Sequence, residues 1–469
     1  MLSWFVLAAI AGTLLVAVFS RRRDVARMAH TLDERGRARQ RGSDKARLQY
    51  PHVDLSRCIG CGVCVDACPE EGVLEMVHGQ ALVVHGARCV GHGRCATACP
   101  VGGIVVTFGD LSERKDIPAL TETLESATQP GLFLAGEVTG YALVRTAIAH
   151  GTAVADEVAR RIGALPAAGA GVLDLVIVGA GPAGLACSLQ AKLRGLLYAT
   201  LEQEELGGTV AKYPRRKLVM TQPVDLPLYG RLDRGTYTKE ELIDLWREVA
   251  VSEQLAIRTG QTFQGVERGD DGMFTVNTSH GSWRARFVCL ALGRRGTPNK
   301  LGVPGEELGK VMYALLDAHS YTNRRILVVG GGDSAIEAAV GLAEQPGNRV
   351  SISYRREGFF RIKARNEARL AEAVGKGRLQ TLFGSEVLSI GADAVELQVG
   401  SNGTARDLHL ENDDVFVLAG GTPPFQLLEK CGVSFDPAHR QTVEPLAESG
   451  TGLTKALLVA LTLALGVLA

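Results

Sequence analysis

Asp174-Leu-Val-Ile-Val-Gly179-Ala-Gly181-Pro-Ala-Gly184-Leu185 is the stretch around which the chain is organised. Leu175 to Val178 is apolar and rich in β-branched residues and reads as a buried strand, while Leu185 to Leu193 continues as a helix. Gly179 permits a tight turn, Gly181 lets the backbone approach a pyrophosphate, and Gly184 lets helix and strand pack closely. The helix N-terminus then offers its free N–H groups to the phosphates. Glu202, about 20 residues on, is placed to bind ribose hydroxyls. Strand, turn, helix and acid together predict a bound dinucleotide.

The grammar occurs twice. Arg325-Ile-Leu-Val-Val-Gly330-Gly-Gly332-Asp333-Ser334-Ala-Ile-Glu337 repeats it, so two dinucleotides are expected, one retained and one exchanged. The next strand ends in Tyr354-Arg355-Arg356, with Arg361 and Lys363 beyond. An acid there would suit a 2′-hydroxyl, whereas arginines suit a 2′-phosphate, which favours NADPH over NADH.

Seven of the ten cysteines lie between Cys58 and Cys99. Without a secretory signal, that clustering favours metal over disulfides. Cys58-x2-Cys61-x2-Cys64-x3-Cys68-Pro69 has the spacing of an iron–sulfur loop, and Cys89, Cys95 and Cys99-Pro100 repeat it. Residues 50–108 resemble the two-[4Fe-4S] ferredoxin family. That resemblance implies one cluster on Cys58, Cys61, Cys64 and the remote Cys99, and another on Cys89, Cys95 and the remote Cys68. Where the pattern wants a fourth cysteine, the chain has His92. Either its imidazole takes the corner, which would raise that cluster's potential, or the corner is open and the cluster has three irons.

Gln129-Pro-Gly-Leu-Phe-Leu-Ala-Gly136-Glu137-Val-Thr-Gly140 comes next, followed by an amphipathic run to Ile162. It resembles the closing motif of pyridine-nucleotide–disulfide-reductase-type flavoproteins, in which the acid accepts hydrogen bonds from the flavin's ribityl chain. In those proteins the motif comes last; here it precedes Asp174. A permuted FAD domain is therefore expected, with Gly136 and Glu137 as flavin contacts and residues 165–171 as the new joint.

From Asp174 to about Gly421 the chain resembles low-molecular-weight thioredoxin-reductase-like flavoproteins. The resemblance rests on the two glycine turns, Gly207-Gly208, Leu290-Ala-Leu-Gly293, Tyr354-Arg-Arg and Val417-Leu-Ala-Gly420-Gly421. It implies FAD and NADPH, with Gly208 and Thr209 also at the flavin. The Cys-x-x-Cys pair of those reductases is missing, and Lys212-Tyr-Pro-Arg-Arg-Lys-Leu-Val-Met is closer to the bacillithiol-disulfide-reductase-like branch that lacks it. Cys187, Cys289 and Cys431 each have no cysteine neighbour and read as small buried hydrophobes. No catalytic side chain is assigned.

The 51 basic and 51 acidic residues cancel, which gives no reason to expect nucleic acid. Met1 to Ser20 is uncharged and is followed by Arg21, Arg22, Arg23, Arg27, Arg35, Arg37, Arg39 and Arg41. Charge placed after the apolar run predicts an uncleaved single-pass anchor with the catalytic domains in the cytoplasm, and a solvated basic linker near anionic headgroups. Ala456 to Ala469 is again apolar and leaves open a second, C-terminal span.

The fold class expected is α/β: two Rossmann-like dinucleotide-binding domains, the FAD domain permuted, plus a small α+β ferredoxin domain and an N-terminal transmembrane helix. The divisions fall at 1–20 (anchor), 21–49 (linker), 50–108 (ferredoxin), 109–164 (permuted segment), 172–295 (FAD), 296–415 (NAD(P)H), 416–448 (return to the FAD domain) and 452–469 (apolar end). The functional expectation is a membrane-anchored oxidoreductase linking NADPH, FAD and two clusters to an unidentified acceptor, protein or small molecule, with a homodimer left open. The alternatives are a disulfide or persulfide reductase, marked by a cysteine near the flavin with Cys431 the candidate, and an iron–sulfur redox sensor.

Overall fold

The computed structural model describes residues 2–44, 48–108, 114–166, 169–220, 223–294, 296–400 and 405–440. The chain divides into two units, one built on the N-terminal residues to Gly109 and the other on Asp110–Val443.

The first unit opens with α1 (Leu2–Arg41), a single 40-residue helix. It corrects the expectation of a membrane anchor and of a membrane location. No helix among the described residues is long and apolar enough to cross a membrane. The uncharged run is only the first part of α1, which continues without a break through all eight arginines from Arg21 to Arg41. The basic stretch is helical and mostly exposed, but it also makes contacts. Thr31 and Ala38, two helical turns apart, are buried, the Glu34 carboxylate accepts from His85 Nε2 at 3.0 Å, and His78 N–H donates to Met28 Sδ. The apolar end 456–469 lies outside the described residues.

The ferredoxin-like module follows. β1 (Tyr50–Val53) pairs antiparallel with β4 (Ile104–Thr107), and β2 (Leu74–Val77) with β3 (Gln80–Val83). Two short helices, α2 (Val63–Asp66) and α3 (Arg94–Ala98), follow the cysteine loops.

In the second unit, β5 (Leu132–Leu134) and α4 (Val144–Ile162) precede β6 (Leu173–Val178), α5 (Pro182–Leu193) and β7 (Tyr198–Leu201). Two small hairpins, β8 (Leu218–Met220) with β11 (Thr236–Thr238) and β9 (Val224–Leu226) with β10 (Gly230–Leu232), lead into α6 (Lys239–Ser252). β12 (Ile257–Arg258), β13 (Phe263–Arg268), β14 (Phe274–Thr278) and β15 (Gly281–Leu290) complete a seven-stranded sheet of order β12-β7-β6-β15-β14-β13. β5 is its seventh strand. It runs parallel to β15 on the edge that the C-terminal half of β15 leaves after pairing with β6, in the register Val288 to Leu132 and Leu290 to Leu134. Leu132, Phe133 and Leu134 are fully buried, as expected of a strand covered on both faces.

The second parallel sheet has the order β17 (Val311–Met312), β24 (Asp414–Val417), β18 (Arg325–Val329), β19 (Arg349–Tyr354), β20 (Leu379–Phe383). α7 (Asp333–Ala343) and α8 (Ala364–Gly375) cover it, and an antiparallel meander of β21 (Ser385–Ile390), β22 (Ala394–Val399) and β23 (Arg406–Glu411) is added. The chain enters this domain through β16 (Thr297–Pro298) and leaves through β25 (Gly421–Thr422), which pair antiparallel with each other. α9 (Phe425–Lys430) then returns to the first sheet, where Leu428 and Cys431 join the core.

Cys187, Cys289 and Cys431 are all buried, as expected, but the expectation that none has a cysteine neighbour is corrected. Cys187 on α5 and Cys289 on β15 are neighbours: the side chains hydrogen-bond inside the fully buried sheet–helix core, and burial pushes the Cys187 thiol well above its usual range.

Candidate functional site

A cavity of about 730 Å³ opens at the C-terminal ends of the parallel strands. Gly136, Glu137, Gly179, Gly181, Glu202, Gly208 and Thr209 all line it. The backbone explains the glycines. A Cβ on Gly208, whose φ is +53°, would stand 3.2 Å from the Cα of Gly181, so two bare backbones form a slot that a pyrophosphate can approach. Gly181 caps α5, with Pro182 in its first turn, and the open N–H end of the helix faces this slot. Gly184 does not line the cavity. A Cβ there would be 1.8 Å from the carbonyl oxygen of Gly179, so this glycine sets the approach of helix to turn.

Glu202 is buried at the end of β7. One carboxylate oxygen accepts from Ala180 N–H at 2.7 Å and the other from Glu204 N–H at 3.0 Å, which fixes the carboxylate against the glycine turn. Across the cavity, a one-turn 3-10 helix, Gly136–Thr139, presents Glu137. Thr139 Oγ1 donates to Gly136 O at 2.7 Å and closes that turn, and the Glu137 carboxylate lies near Gly293. The sequence reading missed Tyr141, Tyr213, Gly293, Pro298 and Leu427, which also line the cavity. Tyr213 and Gly293 fall inside quoted stretches, but only tertiary structure distinguishes them from their neighbours. Among the described residues, no cysteine lines the cavity; Cys431 is buried in the core behind it.

At the second glycine turn, Gly330 packs on the carbonyl of Leu418, and a Cβ on Gly331 would enter the ring of Tyr354. Gly332 caps α7, and Asp333 opens it with Ser334 next. Asp333 Oδ1 accepts from Lys363 N–H at 2.9 Å and Asn366 Nδ2 at 2.6 Å. Arg355, Arg356 and Arg361 are exposed beyond β19. The guanidinium carbons of Arg356 and Arg361 lie 4.4 and 5.0 Å from the centre of the same ring, Phe360, so two cations share one aromatic platform. A loop of the first domain reaches α7: Lys217 Nζ meets Glu337 Oε2 at 3.0 Å, and Arg215 N–H donates to Leu316 O at 2.9 Å.

In the ferredoxin-like unit, Cys58, Cys61, Cys64 and Cys99 line one small apolar pocket. Cys68, Cys89 and Cys95 form a second group, close enough for their charges to oppose one another. Burial, followed by that repulsion, pushes Cys89 and Cys95 up to about 11. A cationic cluster would reverse the cost by taking the thiolate charge. Gly91 N–H donates to Cys89 Sγ at 3.3 Å and Gly103 N–H to Cys99 Sγ at 3.2 Å. Among the described residues, no three His, Cys, Asp or Glu side chains converge on a single metal ion. The thiols are instead spread over two sites, as the corners of polynuclear clusters are.

Two dinucleotide folds in one unit and paired thiol sites in the other define a flavin- and iron–sulfur-type oxidoreductase. Residues 176–452, more than half of the chain, match the pyridine nucleotide-disulphide oxidoreductase family, and the chain belongs to it. Residues 50–100 match the 4Fe-4S dicluster domain. Bacilliredoxin reductase Bdr of Bacillus subtilis (strain 168) is 26% identical over 266 residues, covering 56% of this chain and 81% of that protein. The ferredoxin–NADP reductase of Thermus thermophilus is 32% identical over 289 residues, 60% of this chain and 82% of that one. The solved bacillithiol disulfide reductase Bdr of Staphylococcus aureus aligns with a TM-score of 0.49 and 26% identity, over 55% of this chain and 79% of that one. The chain is therefore an FAD-dependent, pyridine-nucleotide-linked oxidoreductase with an iron–sulfur domain.

Proposed function

We propose that the chain exchanges electrons between NADPH and its own iron–sulfur module by way of FAD, and from there with an acceptor outside the chain. The observation that carries this reading is where the cysteines lie. None lines the dinucleotide cavity among the described residues, while seven stand in the ferredoxin-like unit. A reductase acting on disulfides through a thiol at the flavin would need one in the cavity. When bound, FAD and the clusters supply the redox chemistry itself.

The chain's residues bind and orient. Gly181 and Gly208 provide the slot for the flavin nucleotide's pyrophosphate, the α5 N-terminus neutralises its charge, Glu202 faces the ribose and Glu137 accepts from the ribityl hydroxyls. In this reading β5 and α4 are the closing segment of the flavin domain, moved ahead of its opening strand. Gly330, Gly332, Asp333 and Ser334 form the second pyrophosphate turn, and Arg355, Arg356 and Arg361 take the 2′-phosphate. Cys58, Cys61, Cys64 and Cys99 hold one cluster.

The test is an anaerobic NADPH titration of the full chain, followed in the visible spectrum. Bleaching of the flavin bands together with the broad iron–sulfur absorbance is expected. Flavin bleaching with the clusters unchanged, and rapid NADPH turnover on a low-molecular-weight disulfide, would overturn the proposal in favour of disulfide reduction.

A further inference from the structure

The two cysteine loops share one backbone. Gly60 and Gly62 have φ of 73° and 77°, and Gly91 and Gly93 have 76° and 74°. Gly62 and Gly93 are the left-handed caps of α2 and α3. Cys61 and His92 therefore occupy the same position in equivalent loops, and the second loop is not distorted to accommodate its histidine.

The side chains differ. Cys61 is exposed at its pocket, whereas His92 is buried. Arg94 N–H donates to His92 Nδ1 at 3.2 Å. A backbone N–H can only donate, so this contact occupies the Nδ1 lone pair. The neutral ring then carries its proton on Nε2. A histidine that ligates iron does the reverse: one nitrogen gives its lone pair to the metal and the other, protonated, donates to a neighbour. With Nδ1 accepting and Nε2 protonated, the ring has no lone pair for iron.

We infer that the second cluster is a three-iron centre held by Cys68, Cys89 and Cys95 alone, with His92 acting as a loop cap through Nδ1 in the register of the missing fourth ligand. This rests on the iron–sulfur reading above. It assigns the ring a fixed tautomer and gives the two sites different compositions within one symmetric scaffold.

The experiment uses the full chain, purified anaerobically, with iron analysis and electron paramagnetic resonance. An oxidised four-iron centre of this type is diamagnetic and an oxidised three-iron centre is paramagnetic. About seven irons per chain are expected, with a signal of about one spin in the oxidised protein. His92→Ala should keep both, and incubation with ferrous iron and reductant should not remove the signal. His92→Cys should abolish the oxidised signal and add an iron. About eight irons with a silent oxidised protein, conversion to a three-iron signal only in His92→Ala, or uptake of the extra iron by the natural chain would overturn the inference. If the reduced protein also lacks the signal of the first cluster, on Cys58, Cys61, Cys64 and Cys99, the iron–sulfur reading itself fails.

Discussion

Gly151 of α4 lies directly against Ala183 of α5: a Cβ added to Gly151 would stand 2.0 Å from the Ala183 carbonyl oxygen. The helix that comes early in the sequence thus crosses the helix of the first glycine turn with its backbone in contact. In an exposed helix, glycine to alanine usually stabilises by about 0.5–1 kcal/mol. Gly151→Ala should reverse that sign and cost about 1–3 kcal/mol through overpacking. Denaturant unfolding gives the answer; a variant more stable than the parent would refute this crossing.

Glu137 is offered to the cavity by a turn that Thr139 closes. On the proposed flavin reading, replacing it with alanine removes an acceptor from buried ribityl hydroxyls, at about 1–3 kcal/mol. Glu137→Ala should release FAD on dilution or gel filtration roughly tenfold more readily, while the iron–sulfur absorbance stays intact. Unchanged flavin content would detach Gly136–Thr139 from the flavin site.

Arg355 and Arg356 stand where an acid would suit NADH. Charge-assisted hydrogen bonds to a phosphate contribute about 1.5–3 kcal/mol each. Changing both arginines to alanine should raise KM for NADPH at least tenfold per residue, roughly, and leave that for NADH nearly unmoved. Equal losses for the two coenzymes would remove these residues from the 2′-phosphate site.

Arg161 bridges two acids on the segment that precedes the first glycine turn, contacting Glu125 at 2.7 and 2.8 Å and Glu157 at 2.7 Å. Glu157, hydrogen-bonded first by Arg160 and then by Arg161, is held down at about 2 from its ordinary 4.5. A carboxyl depressed on folding stabilises above its unfolded value, and that contribution is lost as pH falls through the folded one. Stability should therefore decline between pH 4.5 and about 2 in part because Glu157 takes up a proton. Glu157→Gln should flatten this part of the acid limb in a series of unfolding curves, with little effect on its slope near neutrality.

What the sequence showed plainly was local chemistry. Gly179, Gly181 and Gly184 each answer to a backbone need within a few residues, and the cysteine loops announce themselves by spacing. What escaped was set by distance or by continuity. Cys187 and Cys289 are neighbours because a helix and a strand pack, and nothing near either residue says so. Thr31 and Ala38 bury themselves within a stretch that composition marks as solvated. The expected anchor was misread because an apolar run was counted alone, whereas α1 carries it on into its arginines as one helix. Lys217 and Glu337 look like surface charges until the two domains bring them to 3.0 Å.

The nicotinamide-type domain enters and leaves by paired strands, Thr297–Pro298 beside Gly421–Thr422, with Gly296 pressed against the Thr422 carbonyl. Its two ends are therefore fastened to each other before they are fastened to anything else. Along the chain the host sheet meets the insert as it would a single short loop, and the ties from Lys217 to Glu337 and from Arg215 to Leu316 are added to that joint. Exchanging the whole insert would need only two adjacent joints together with a match to the host loop that carries Arg215 and Lys217, and on the proposed reading it would change coenzyme choice. The same nesting sets an order of synthesis: the insert is complete before α9 emerges to close the host's core, so the inner module can fold while the outer one is still unfinished.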